Sequence, residues 1–229
     1  MREFLLSVTA SPLFGLSATL FAYGIGLKLH KKAGSPLVNP LLIADFLLIA
    51  LLLVLGIPYE NYMIGGAFWE MLLVPATAIL ATKIYTQRTI LKRYLVPVLI
   101  GSAVGALVAV VCVWGLSKLF GLDETLTVSL LPKSVTAAIA LPLSEQMGGI
   151  NSITTFALVI AGVSGAVFAP YWIRWFRITN PVASGLALGT ASHILGTTKA
   201  IELGEVEGAL SSCAIGIAGL FTVFILTFF

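Results

Sequence analysis

Apolar residues run along this chain in stretches much longer than the one-sided stripes of a soluble amphipathic helix. The main ones are Phe4–Leu29, Leu41–Ile57, Val96–Leu119, Ile153–Phe176 and Ala209–Phe229. Roughly 20 apolar residues cross the hydrocarbon core of a bilayer as a helix, so the pattern predicts an all-α, polytopic membrane protein. Two stretches interrupt it. One, "LLPKSVTAAIALPLSEQMGG", holds Pro132 and Pro142 and ends in Gly148-Gly149. The other, "ALGTASHILGTTKAIE", places hydroxyls around His193 and brackets it with Gly189 and Gly196. Irregular backbone at membrane depth is tolerated only where protein or a wet cavity covers it. Residues 128–148 and about 182–203 therefore read as broken or re-entrant helical segments.

Composition agrees and excludes a soluble domain. Of 229 residues, 59% are hydrophobic and 10% charged, where a soluble domain carries about 25% charged residues. The run from Phe4 ends in the basic "KLHKK" with no small-residue cleavage site, which reads as a span and not as a cleaved signal. Cys112 and Cys213 lie in apolar helices and read as small core residues without a disulfide. The net charge of +3 sits in short loops beside spans and points to no nucleic acid.

Three basic clusters, Lys28–Lys32, Lys83–Arg93 and Arg174–Arg177, belong on the cytoplasmic face by the positive-inside rule. Spans at about 4–29, 37–57, 67–85 and 91–119 then alternate, with the N-terminus outside. If 128–147 crossed as well, the next span, about 150–176, would deliver "RWFR" to the outside. A segment that returns to the face it left removes the conflict and puts the C-terminus outside too.

An internal repeat points the same way. "LIGSAVGALVA" (99–109) aligns with "VIAGVSGAVFA" (159–169), and each precedes a polar, broken segment. Residues 1–229 then form one transmembrane domain: N-terminal helices to about 90, inverted repeat units at 91–148 and 150–204, and a last span at 205–229. Inverted repeats with broken helices are an architecture of secondary transporters.

Few side chains can carry chemistry. Lys133 either snorkels toward the acidic "GLDET" loop or binds a carboxylate, since an uncompensated lysine in a bilayer is costly. Ser134 and Thr136 follow it where a helix start would attract anions. Thr190, Ser192, Thr197 and Thr198 either bond their own helix carbonyls or line a site. His193 either bridges helices or relays protons. Lys199 and Glu202, three apart, are either a plain ion pair or, respectively, a substrate-binding and a proton-coupling group. Glu205 and Glu207 belong to the interface, Glu145 ends the first broken segment, and Asp45 sits mid-span. Pro75 is either a simple kink or part of a cavity wall. The expected binding set is Lys133, Ser134, Thr136, Thr190, Ser192, His193, Thr197 and Lys199, with proton coupling at His193 and Glu202 and breaks at Pro75, Pro132, Pro142, Gly189 and Gly196. No metal, cofactor or nucleophile set is expected, and no enzyme.

The motif at 130–149 and "GLALGTASHILGTTKAIELGEVEGALSS" resemble the LrgB/CidB antiholin-like membrane protein family. The resemblance covers nearly the whole chain, including "NPLLIADFLLIALLLVLGIPYENY" and "LLVPATAILATKIY". Ile194-Leu195 after the histidine and Ala137-Ala138 after Thr136 depart from the family pattern. The resemblance implies a bacterial inner-membrane protein, often beside a small holin-like partner, tied to murein hydrolase control and lysis. Plastid relatives resemble glycolate/glycerate translocators, and bacterial ones are linked to pyruvate. Two expectations follow: a secondary transporter of small monocarboxylates coupled to a proton or another cation, or a holin/antiholin-like regulator without transport of its own. A homodimer is expected by analogy with similar transport folds.

Overall fold

The computed structural model describes residues 2–33, 38–72, 75, 78, 79, 82 and 85–228. Among the described residues all regular structure is helical, and four helices are long and apolar enough to cross a membrane. The protein is thus an all-α, polytopic membrane protein. It falls into two compact units, Met1–Pro75 and Ala76–Phe229.

The first unit holds α1 (Arg2–Thr9), α2 (Pro12–Ala33), α3 (Pro40–Leu55) and α4 (Tyr59–Met71). The apolar run read as one span from Phe4 is divided at Ala10-Ser11. Pro12 then opens α2, where its missing N–H costs nothing. The Asn39 side chain caps α3 by accepting from the Leu41 N–H at 2.9 Å, and Gly56 ends it with φ of 60°. Helices α2 and α4 cross with bare backbone in contact: a Cβ on Gly65 would lie 2.9 Å from Gly15 Cα. Within the basic Lys28–Lys32 cluster, His30 Nδ1 lies 2.6 Å from the Val38 carbonyl and donates to it. Within the expected span at 67–85, residues 73, 74, 76, 77, 80, 81, 83 and 84 lie outside the described residues, and with them the surroundings of Pro75.

The second unit holds α5 (Arg88–Arg93), α6 (Leu95–Leu119), α7 (Glu124–Leu130), α8 (Ala137–Gln146), α9 (Asn151–Trp175), α10 (Pro181–Leu203) and α11 (Glu205–Thr227). Helices α6 and α9 have 25 residues each and α11 has 23, enough to cross at about 1.5 Å per residue. With 7 and 10 residues, α7 and α8 are too short.

They form a hairpin. Thr154 of α9 donates to the Ser129 carbonyl at 2.9 Å and shares a 2.7 Å hydrogen bond with the Ser144 hydroxyl. Residues 15 positions apart thereby meet one side chain, so α8 runs back beside α7. Neighbouring side chains of the same hairpin pack with α6 and α11: Val128, Leu131 and Leu143 share a core with Val113 and Leu226.

Helix α10 is a second hairpin in one continuous run. Its backbone leaves the helix at Ser192 (φ −134°, ψ 18°) and His193 (φ 41°, ψ −132°). A Cβ on Gly196 would lie 2.6 Å from the Leu188 carbonyl oxygen, although eight residues of straight helix span about 12 Å. Gly185 abuts Glu207 and Gly189 abuts Ser211, so the first arm runs parallel to α11. The return arm runs antiparallel to it, with Thr197 bonded to Ser211 at 2.6 Å and Ile201 against Gly208.

The hairpins enter from opposite faces. Val98 at the start of α6 and Leu210 at the start of α11 pack with Leu186 of the second hairpin. Val113 and Leu226, at the far ends of the same helices, pack with the first. Lys92, Arg93 and Arg174 lie on the side of the second hairpin, which is cytoplasmic by the positive-inside rule. A 25-residue helix followed by a hairpin thus occurs twice in opposite orientation, as an inverted repeat.

Three expectations need correcting. Pro142 does not break the chain; it lies inside α8, a position transmembrane helices tolerate. Gly189 and Gly196 are not the break either. They flank it, and their missing side chains let the hairpin arms touch backbone. Finally, Cys112 is exposed while Cys213 is buried, so only the latter is a core residue.

Candidate functional site

The two hairpin tips converge on α9. At the first tip Pro132 lies in the turn that ends α7, and Val135 is buried against Leu158. Thr136 is the N-cap of α8, its carbonyl accepting from Ile139 and Ala140 at 2.9 and 2.8 Å. Its hydroxyl is buried and has no hydrogen-bond partner. Among the described residues the N–H groups of Ala137 and Ala138 also make no hydrogen bond, as expected for a first helical turn without a side-chain cap. Lys133 donates to the neighbouring Ser134 hydroxyl at 3.2 Å. It has no carboxylate partner; the ion pair found among the described residues is Lys199–Glu202.

At the second tip His193 is buried with its Nε2 2.9 Å from the Leu158 carbonyl. A carbonyl only accepts, so Nε2 carries the hydrogen and Nδ1 is the atom left for a second proton. The glycines of the 159–169 motif make room for this tip. A Cβ on Gly162 would lie 2.6 Å from His193 Cε1, and one on Gly165 would collide with the Ser192 hydroxyl.

A cavity of about 540 Å³ lies beside the tips, between α9 and α10. Lys133 from the first hairpin and Ser192 from the second both line it. Most of its remaining wall is apolar, including Phe168, Trp172, Ile173, Ile178 and Leu188.

The other expected site residues are engaged elsewhere. Thr190 donates to the Leu186 carbonyl at 2.8 Å and faces Gly105 of α6. Thr197 is tied to Ser211, and Thr198 bonds its own helix at the Ile194 carbonyl. Lys199 and Glu202 form a 2.7 Å ion pair with the carboxylate exposed. The structure therefore brings Lys133 and Ser192 to one cavity, with Ser134 and Thr136 on the tip of the former and His193 on the tip of the latter, and leaves Thr190, Thr197, Lys199 and Glu202 in packing or surface roles. Sequence reasoning did not single out Leu158, Thr154, Gly162 or Gly165 as the receiving surface, although the last two stand in the repeat motif. Among the described residues no cluster of His, Cys, Asp or Glu is arranged to hold a metal.

Comparison with known proteins gives a consistent answer. The model of the LrgB-like family matches residues 19–229. Antiholin-like protein LrgB of Bacillus mycoides is 41% identical over 222 residues, covering 96% of each chain. The protein of the same name from Bacillus cereus is 40% identical over the same share. No solved structure matches the chain.

Proposed function

The chain belongs to the LrgB-like family, and from that premise we propose that it is an antiholin-like regulator of the bacterial inner membrane. In this reading it restrains murein hydrolase activity and lysis, together with a small holin-like membrane partner. The observation that carries it is 40–41% identity across 96% of both chains to proteins named antiholin-like. Deleting the gene in its host should speed lysis and raise extracellular murein hydrolase activity, read by turbidity and zymography. Unchanged lysis and hydrolase activity would overturn it.

A specific observation favours a second reading. Two opposed hairpins meet beside a cavity that Lys133 and Ser192 share, and such tips are where secondary transporters bind substrate. On this reading the chain carries a small monocarboxylate, of glycolate, glycerate or pyruvate type, with a proton taken at His193 Nδ1 to balance the charge. Saturable uptake into proteoliposomes under an imposed pH gradient tests it; a leak that never saturates counts against it.

A further inference from the structure

We infer that the cavity between α9 and α10 binds an amphiphilic monoanion, with one carboxylate-like head at Lys133 and an apolar body larger than three carbons. This keeps the transport reading's cavity and single negative charge but replaces its two- and three-carbon substrates with a larger one, and it needs only binding, so it stands or falls separately from uptake.

The head follows from charge. Lys133 reaches a cavity wall at membrane depth with no acid beside it, and a lone intramembrane cation calls for an anion. The same tip carries the buried, unpartnered Thr136 hydroxyl and the free N–H groups that open α8, which stand near Lys133 in the chain without lining the cavity themselves. The dipole of that helix raises the positive potential further. The second tip contributes the Ser192 hydroxyl; His193 beside it does not line the cavity, its ring being turned to the Leu158 carbonyl. No carboxylate lines the cavity. One cation without a competing acid selects a single negative charge.

The body follows from the walls. Ser164 and Ser184 are spent on carbonyls of their own helices, Ala161 and Pro181. That leaves Lys133 and Ser192 as polar groups against a lining of Phe168, Trp172 and aliphatic side chains. A volume of about 540 Å³ is several times the roughly 100 Å³ that a three-carbon acid displaces, judged from about 30 Å³ per water.

Calorimetry on the full chain in nanodiscs would decide, with acetate, glycolate, butanoate, hexanoate, octanoate and phenylacetate as probes and octan-1-ol as the uncharged control. Affinity should rise about fourfold per methylene, and octanoate should bind at least tenfold tighter than octanol. Lys133→Met should erase that preference while octanol binding persists. Trp172→Ala should weaken phenylacetate and spare acetate, which keeps the idea testable if the lysine variant does not fold. Glycolate binding as tightly as hexanoate would overturn the apolar body. Octanol equal to octanoate would assign the cavity to a lipid chain, and no binding by any probe would end the proposal. Tight octanoate binding with no uptake would remove transport alone.

Discussion

His193 donates from Nε2 to the backbone carbonyl of Leu158, 2.9 Å away and 35 positions earlier in the chain. Its own φ of 41° lies in a region that costs a non-glycine residue about 1–3 kcal/mol. A buried hydrogen bond returns about 0.5–1.5 kcal/mol. The tip is thus held by α9 in a shape its local sequence does not favour.

Replacing that histidine separates anchor from proton carrier. His193→Ala removes the hydrogen bond that ties the tip to the Leu158 carbonyl inside α9 and should lower the thermal midpoint by a few degrees. If the transport reading holds, pH-driven uptake should vanish as well. Uptake with native pH dependence in proteoliposomes would remove the proton role.

Gly165→Ala should disrupt the site, because its Cβ would collide with the Ser192 hydroxyl. Overpacking of this kind costs about 1–3 kcal/mol. Gly115→Ala meets nothing within 4 Å and should leave stability unchanged or raised. Thermal melts of the two purified variants make the comparison.

Two buried threonines should behave in opposite ways. Thr154→Val strips partners from the Ser129 carbonyl and the Ser144 hydroxyl and should cost about 1–3 kcal/mol. Thr136→Val removes a hydroxyl that bonds nothing, so the fold should keep its stability while anion binding weakens. Equal destabilisation of both would show that Thr136 has a structural partner.

Topology is open to labelling. After Cys112→Ser, single cysteines at Glu124 and Asn151 should react with an impermeant maleimide from the outer face. Cysteines at Glu202 and Glu205 should react only from the inner face. Labelling of Glu124 and Asn151 from opposite faces would mean that the first hairpin crosses the membrane.

The fold was legible wherever a single feature decides a segment. Uninterrupted apolar length marks α6, α9 and α11, and the placement of Arg174 and Arg177 forces an intervening segment to return. Pro132 with Lys133 announced the first tip. The second tip was harder to place, since its break falls on Ser192 and His193, whose conformation is enforced by α9 and not by local propensity. Pro142 misled because a proline inside a covered helix need not end it. Thr190 and Thr197 misled because a hydroxyl facing its own carbonyl or Ser211 looks, in one letter, like a hydroxyl facing a ligand.

The Ser129–Thr154–Ser144 knot also sets an order of assembly. The α7–α8 hairpin is too short to lodge in the bilayer alone, and its tip carries a lysine and unpaired backbone that lipid rejects. Val110 and Val113 of the earlier α6 cover part of it, but the rest of its cover, Thr154 and Leu158 of α9 and Leu226 of α11, leaves the ribosome later. The hairpin must wait at the membrane surface during synthesis and slide in only once nearly the whole chain has been made. A polypeptide truncated before α9 would leave that surface-bound hairpin unburied, a ready substrate for membrane quality-control proteases.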